Sequence, residues 1–324
     1  MKAAVHTRYG PPEVVRIAEV DTPAVGEHEV LVKVAVTTVN RTDCGFRSGK
    51  PSIVRLFSGL AKPKQTVLGT EFSGVIDAVG GGATSFDVGD RVFGYSEDRF
   101  GAHAEYLTIP EGGALATIPA SMSYEEVAPS TEGSHYALSL IRKAKIASGH
   151  DVLVYGATGA IGSAAVQLLK HLGAAVTAVC DTEHVELVQG LGADRVIDYT
   201  AEDFTQDRQT YEVVLDAVGK SSFGRCKRLL KPGGIYLSSD LGPLSQNPLL
   251  AVTTPLLGGK KVMFPIPPKF DQELANHFHE MLASGDFKPV IDRSYPLDQI
   301  VDAYRYVETG RKIGNVVITV DPSM

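Results

Sequence analysis

Short apolar runs divided by glycine and proline fill the first third of the chain. KAAV (2–5), EVLVKVAV (29–36), FSGVIDAVG (72–80), DRVFGY (90–95) and HAEYLTI (103–109) have the composition and closely spaced turns of strands, which predicts an all-β region from Met1 to about Ser121. VGGGAT (79–84) and VGD (88–90) are turn-rich joints within it, since glycine tolerates positive φ. After Ser123 the period lengthens, and EEVAPSTEGSHYALSLIRKA (125–144) predicts a helix. Strands and helices then alternate, with strands expected at DVLVY (151–155), AAVTAVC (174–180), RVIDY (195–199), EVVLDAVG (212–219), GIYLSS (234–239) and KKVMF (260–264). Apolar runs separated by helical segments indicate βαβ units on a parallel sheet. Near the end, QIVDAYRYVETG (299–310) sets Ile300, Tyr304 and Val307 at helical spacing with Gly310 as its stop. The strand NVVITV (315–320) that follows can either extend the parallel sheet or return to the β region.

At 324 residues the chain suits two domains, because domains usually hold about 100 to 200 residues. A net charge of −7 and a pI near 5.7 argue against nucleic-acid binding, which needs a concentrated excess of Lys and Arg. Cys44, Cys180 and Cys226 are odd in number and far apart, so neither a disulfide framework nor a four-thiolate metal knot is expected, and a reducing cytoplasm fits best. No run has the length of a membrane span, and the opening MKAAVHTRYGPPEVV reads as a strand rather than a signal peptide.

Candidate chemistry centres on GATGAIG, the residues Gly156, Ala157, Thr158, Gly159, Ala160, Ile161 and Gly162. The strand DVLVY precedes this turn and the helical SAAVQLLKHLG follows it, the order a phosphate site requires. Gly156 permits the sharp turn, Gly159 lets the backbone approach a pyrophosphate, and Gly162 allows close helix-to-strand packing. The helix N-terminus supplies unpaired N–H groups and positive dipole. The spacing is GxxGxxG, and a tight turn without a ligand is the competing reading. Asp181 stands about 20 residues further on, where a carboxylate accepts hydrogen bonds from an adenosine ribose or caps the next helix. Its charge and that of Glu183 favour NAD(H) over NADP(H), unless Arg195, His184 or Tyr199 folds over to receive a 2′-phosphate.

TTVNRTDCGFRSG (37–49), VLGTEFSGVIDAVG (67–80), VGDRVFG (88–94), FGAHAEY (100–106), GATGAIGSAAVQ (156–167), GADRVIDY (192–199) and GRKIGNVVITV (310–320) together resemble the medium-chain dehydrogenase/reductase superfamily, in its zinc-free quinone oxidoreductase branch with the reticulon-interacting-protein-like members. The resemblance spans nearly the whole chain. It implies a Rossmann domain, an α/β fold with a doubly wound parallel sheet, at residues 122–264, inserted into a GroES-like β domain made of 1–121 and 265–324. The active site is then expected in the cleft between them, and a homodimer through the edge strand KKVMF.

Zinc-dependent relatives carry metal ligands at positions that match Asn40, Thr70 and Ser130, and none of these is a good zinc ligand. No cysteine lies between Cys44 and Cys180 to build a structural zinc lobe. Without a Lewis acid, conjugated acceptors suit the chemistry better than simple alcohols. Hydride from nicotinamide C4 adds to a quinone or an α,β-unsaturated carbonyl while the charge spreads to oxygen. The resemblance places Asn40 and Asp43 in the nicotinamide pocket, with Gly45 where some bacterial members have a tyrosine. Asn40 is the expected donor toward the acceptor oxygen, and Asp43 is expected to orient its neighbours, since an ordinary carboxylic acid is ionised at neutral pH. Tyr136 stands where relatives have a threonine and is a second candidate donor, or simply packs. Glu132 and His135 form an acid/base pair or ordinary surface partners. Gly219 in DAVG permits close approach to the cofactor, Tyr199 lies near its adenosine end, and Asn315 could touch its diphosphate or ribose.

One stretch departs from the acidic balance. Arg41, Arg47, Lys50, Arg55, Lys62 and Lys64 surround the single acid Asp43, interleaved with Ile53, Val54, Leu56, Phe57 and Leu60. A short amphipathic helix is expected there, either a lid favouring anionic or amphipathic substrates or a solvated face over an apolar underside. The function expected overall is reduction of a small-molecule quinone, enone or carbonyl with NAD(H) or NADP(H). A zinc-free alcohol or carbonyl dehydrogenase and a catalytically silent nucleotide-binding interaction protein are the alternatives.

Overall fold

A computed structural model describes residues 1–238, 240–265 and 269–324. The end of the strand predicted at 234–239 and residues 266–268 of the second β segment lie outside the described residues. The chain forms two compact units, one of Met1–Glu132 with Phe270–Met324 and one of Gly133–Lys269.

In the first unit, strands β1 (Lys2–Val5), β2 (Arg16–Glu19), β3 (Glu29–Val39), β4 (Glu71–Val79), β5 (Arg91–Tyr95), β6 (Tyr106–Pro110) and β7 (Leu115–Thr117) precede the insertion. The second unit contributes β8 (Asp151–Tyr155), β9 (Ala175–Cys180), β10 (Arg195–Asp198), β11 (Tyr211–Asp216), β12 (Leu230–Ser238) and β13 (Lys261–Met263). The chain then returns as β14 (Ile291–Pro296) and β15 (Asn315–Thr319).

β3 organises the first unit. Its run EVLVKVAVTTV is buried almost throughout, because it pairs antiparallel with β4, β6 and β15 and packs on both faces. Val30, Val32 and Val34 meet Phe72, Ile76, Leu107 and Leu115, while Ala35 and Val36 meet Ala128 and Val317. Among the described residues the sheet order is β14-β15-β3-β4-β5-β7, with β6 also on β3. The last strand therefore joins the β unit, resolving the choice its sequence left open. Registers of Val317 with Thr38 and of Thr37 with Phe72 bring the end of β3 beside the starts of β4 and β15. That corner carries the polar cluster described below.

The second unit is a parallel sheet in the order β10-β9-β8-β11-β12-β13. Leu153, Val179, Ile197, Val214, Tyr236 and Val262 form its core. β9 and β11 flank β8 on opposite sides, so the strand order reverses at β8 and a ligand crevice is expected beyond its carboxyl end.

Two expectations are corrected. The helix predicted over 125–144 is broken into Tyr124–Val127, a 3-10 turn at Ala128–Ser130, and Glu132–Lys143. Pro129 has no N–H and its ring excludes a continuous helix. In the basic stretch the helix spans only Val54–Ser58, and Ile53, Leu56, Phe57 and Leu60 are 58%, 63%, 71% and 72% exposed. Its apolar side chains thus face outward instead of covering an underside, while Val54 is half-buried.

Candidate active site

The glycine turn occupies the switch point of the second unit. Gly156 follows β8 with φ +80°, a region that suits glycine, and a Cβ there would lie 2.5 Å from Val218 Cγ1. A Cβ on Gly162 would lie 2.1 Å from the carbonyl oxygen of Gly156, so only glycine lets the helix Ala160–His171 sit against the turn. Gly159 differs. It is the helix N-cap at φ −73° with no side-chain cap, and a Cβ there would find no protein atom nearer than 3.7 Å. Space above Gly159, beside the open N–H groups of a 12-residue helix, is a fitting cradle for a diphosphate.

Asp216 at the end of β11 shapes the neighbouring DAVG loop. Its Oδ1 accepts the N–H groups of Val218 and Gly219 at 3.2 and 2.8 Å, and its Oδ2 accepts Ser221 N–H and the Tyr236 hydroxyl at 2.9 Å each. Gly219 has φ +65° and a Cβ there would strike Asp240. The sequence reading singled out Gly219 and missed Asp216, whose signal is an acid closing an apolar strand.

Asp181 follows β9 and pairs with His184 Nδ1 instead of capping the turn Thr182–His184. Arg195 is committed elsewhere: its guanidinium donates to both carboxylate oxygens of Asp207, at 2.7 and 3.1 Å. Tyr199 is half exposed, and its N–H donates to Cys180 O. Depressions of about 510 and 380 Å³ are lined by residues between 195 and 209 and by Tyr155, Tyr199 and Arg225, and neither takes its lining from 156–162.

In the first unit, Asn40 caps the helix Arg41–Ser48 reciprocally with Asp43. Asn40 Oδ1 accepts Asp43 N–H at 2.8 Å, and Asp43 Oδ2 accepts Asn40 N–H at 3.1 Å. Asp43 Oδ1 also takes Gly69 N–H at 3.0 Å. The Asn40 amide nitrogen donates to Thr70 Oγ1 at 2.9 Å and to Glu132 Oε2. Glu132 further accepts the hydroxyls of Thr70 at 3.1 Å and Thr42 at 2.8 Å. Beneath it, Glu71 accepts the Thr38 hydroxyl at 2.7 Å, the Thr131 N–H and hydroxyl at 3.1 and 3.0 Å, and Glu132 N–H at 2.7 Å.

Burial sets the electrostatics here. It pushes Asp43 up to about 7 against the two backbone N–H groups that favour its charged form, which departs from the ordinary ionised carboxylate expected from sequence. His103, with Nε2 2.7 Å from Thr38 O, is pushed down to about 4 and is neutral. Glu132 is raised well above the usual carboxylate range by burial and then by the charges of Glu71 and Asp43. Glu71 is also raised by burial, but its four donors hold it as the charged member of the pair. Half-buried Lys312 donates to Gly314 O, and burial lowers its pKa while Glu132 and Glu71 oppose that shift.

Two further expected residues are Tyr136 and Asn315. Tyr136, in the second unit, is half-buried and edge-on to His135 with ring centroids 6.0 Å apart. Asn315 opens β15, where both its N–H and its side-chain amide donate to Val290 O. Glu71 and Lys312 went unread. An acid heading the apolar strand FSGVIDAV was the available sign of the first, and nothing local marked the second.

Residues 26–120 match the family described as alcohol dehydrogenase GroES-like domain, and residues 191–318 match zinc-binding dehydrogenase. The chain is 33% identical to 2-methylene-furan-3-one reductase of Solanum lycopersicum, over 98% of this chain and 79% of that protein. It is 30% identical to the chloroplastic NADPH-dependent alkenal/one oxidoreductase of Arabidopsis thaliana, over 98% and 79%. The chain belongs to the medium-chain dehydrogenase/reductase superfamily, on its quinone oxidoreductase-like branch. A quinone oxidoreductase from Coxiella burnetii shares the fold at TM-score 0.87 with 24% identity, covering 99% of each chain. As a member of this superfamily the protein is an oxidoreductase with a nicotinamide cofactor, and the Gly156–Gly162 turn fits that cofactor. The zinc of the family's description fits less well. Asn40 and Thr70 offer an amide and a hydroxyl already spent on each other and on Glu132, and among the described residues no group of three or more His, Cys, Asp or Glu could hold a metal ion.

Proposed function

We propose that this protein reduces quinones or α,β-unsaturated carbonyls by hydride transfer, with NAD(H) preferred over NADP(H) and without zinc. The observation that supports the reading is the turn at Gly156–Gly162, with open space at Gly159 beside a helix N-terminus. The bound cofactor supplies the hydride. The chain's own residues bind, orient and handle the proton. The names of the Solanum lycopersicum and Arabidopsis thaliana relatives, a 2-methylene-furan-3-one reductase and an alkenal/one oxidoreductase, support the substrate class.

Asp181 supports NAD(H), because its carboxylate repels a 2′-phosphate and Arg195, tied to Asp207, is not free to neutralise one. The name of the Arabidopsis relative specifies NADPH, so the preference is a property to test on this chain. Asn40 and Asp43 are the proposed site residues on the β unit. Asn40 acts as a fixed hub, its amide holding Thr70 and Glu132, with the acceptor oxygen beside it; Asp43 orients that hub through the capping box. Tyr136 is the proposed site residue on the second unit, and Asn315 a further cofactor contact. We also propose a homodimer, since β13 edges its sheet with no further strand beyond it among the described residues, and a reducing compartment such as the cytoplasm, in keeping with three free cysteines.

Titrating NADH and NADPH separately by fluorescence, then following cofactor oxidation with 1,4-quinones and linear enones, tests the reading. Tighter NADH binding and turnover of a conjugated acceptor are expected. Binding of cofactor without turnover of any member of the panel would favour a silent nucleotide-binding protein instead.

A further inference from the structure

Three buried carboxyls meet at the corner of β3, β4 and the loop before Glu132, and two of them have structural work. Asp43 closes the cap of its helix and holds Gly69 N–H. Glu71 ties the Thr131 and Glu132 backbone to the sheet. Among the described residues, the Glu132 side chain holds no backbone group and meets the Asn40 amide and the hydroxyls of Thr70 and Thr42. A carboxyl that shapes no chain yet is buried among polar partners costs stability without a folding return, and such groups concentrate at functional sites.

Its partners accept either protonation state. The Thr70 hydroxyl already accepts a hydrogen bond from Asn40 and can turn its own hydrogen toward Glu132 or take one from it. The Thr42 hydroxyl, 2.8 Å from Glu132 Oε1, has the same freedom. Thr42 is half-buried while Asn40, Thr70 and Glu132 are buried, so Thr42 is the cluster's outlet.

We propose that Glu132 is the proton reserve of the reaction, passing its proton through the Thr42 hydroxyl to the reduced acceptor. This rests on the reading that the protein reduces a conjugated acceptor with nicotinamide hydride. Hydride addition leaves the acceptor one negative charge and one proton short. The O–H bond of Glu132 breaks, Thr42 takes that proton as its own leaves for the acceptor, and the electron pair remains on the Glu132 carboxylate. The carboxylate is then met by the Asn40 amide and the Thr70 and Thr42 hydroxyls, within the electrostatic field of Lys312. One solvent proton per turnover restores it. The charged groups facing it are Glu71 on β4, Asp43 on the helix Arg41–Ser48, and Lys312, itself near Asp292 and Arg41, while His135 follows one turn along its own helix. Burial together with Glu71 and Asp43 keeps the reserve loaded, and Lys312 favours its discharged form.

Four variants and three readouts test this. Glu132→Gln should lower kcat by about a hundredfold, the scale of general acid catalysis, and leave the fluorescence-measured Kd for NADH unchanged. Wild-type kcat should fall as pH rises through the raised Glu132 pKa, and Glu132→Gln should lose that limb. Thr42→Val should reproduce the loss in kcat, and Thr42→Ser and Glu132→Asp should recover part of it. Infrared difference spectra of the protein without substrate should show a protonated carboxyl at neutral pH that Glu132→Gln removes and Thr42→Val keeps. A Glu132→Gln kcat within about threefold of wild type, or no such band, overturns the proposal while leaving the reductase reading intact. Absence of wild-type turnover with every quinone and enone overturns that reading and this proposal with it, whatever the spectrum shows.

Discussion

Gly159→Ala separates a ligand cradle from a structural turn. A methyl group there meets no protein atom closer than 3.7 Å, and φ is −73°, so the backbone accepts alanine without strain. The folding penalty is confined to the N-cap preference, about 0.5 to 1 kcal/mol, or a shift in Tm of only a few degrees for a chain this size. A bound diphosphate changes the result. To hydrogen-bond the first N–H groups of the helix, its oxygens must come within about 3 Å of the backbone, inside the contact radius of the new methyl. Losing one charge-assisted hydrogen bond costs roughly 1.5 to 3 kcal/mol, which is about a ten- to hundredfold rise in Kd. Fluorescence titration with NADH beside a thermal melt reads both quantities. Gly162→Ala is the counterpart: its Cβ would lie 2.1 Å from Gly156 O, so stability falls by about 1 to 3 kcal/mol along with affinity. Equal NADH affinity in wild type and Gly159→Ala would refute the assignment of the cradle.

Three further outcomes follow from the same geometry. Asp181→Asn removes a partly exposed like charge from the ribose end and should shift the NADH-to-NADPH affinity ratio toward NADPH by about tenfold, measured by parallel titrations. Chelator treatment should leave cofactor oxidation unchanged; zinc retained stoichiometrically afterwards, with activity dependent on it, would contradict the metal-free proposal. Asp43 holds a proton in the folded state up to about pH 7 that the unfolded chain releases near 4, so its contribution to stability is greatest below pH 4 and is lost as pH rises to about 7. Comparing denaturant midpoints of wild type and Asp43→Asn across that range should show the gap between them changing in this window and flat above it.

How far these features could be read in advance depended on how local their causes are. The βαβ alternation and GATGAIG are local patterns, and the strand–turn–helix they announce is what folds. Arg16–Glu19, Leu115–Thr117 and Ile291–Pro296 form strands that no pattern announced, because RIAE and LAT are short and IDRSYP is mostly polar. Each is recruited by its neighbours, as β14 is by parallel pairing with β15. Pro129 was a legible break inside an otherwise helical period, and it prevailed. Asn40 and Asp43 stand out in the sequence as single residues, but their engagement with Gly69, Thr70 and Glu132 spans up to 92 positions and arises only when β3, β4 and residue 132 converge. The raised pKa of Asp43 follows from that convergence, since it is a consequence of burial and not of residue type.

The most direct test of the central claim is the fate of deuterium from stereospecifically labelled [4-²H]NADH supplied with a linear enone. Deuterium appearing at the β-carbon of the saturated product, with a proton from solvent at the α-carbon, is the predicted result. Label absent from the product, or reduction confined to the carbonyl carbon to give an allylic alcohol, would contradict it.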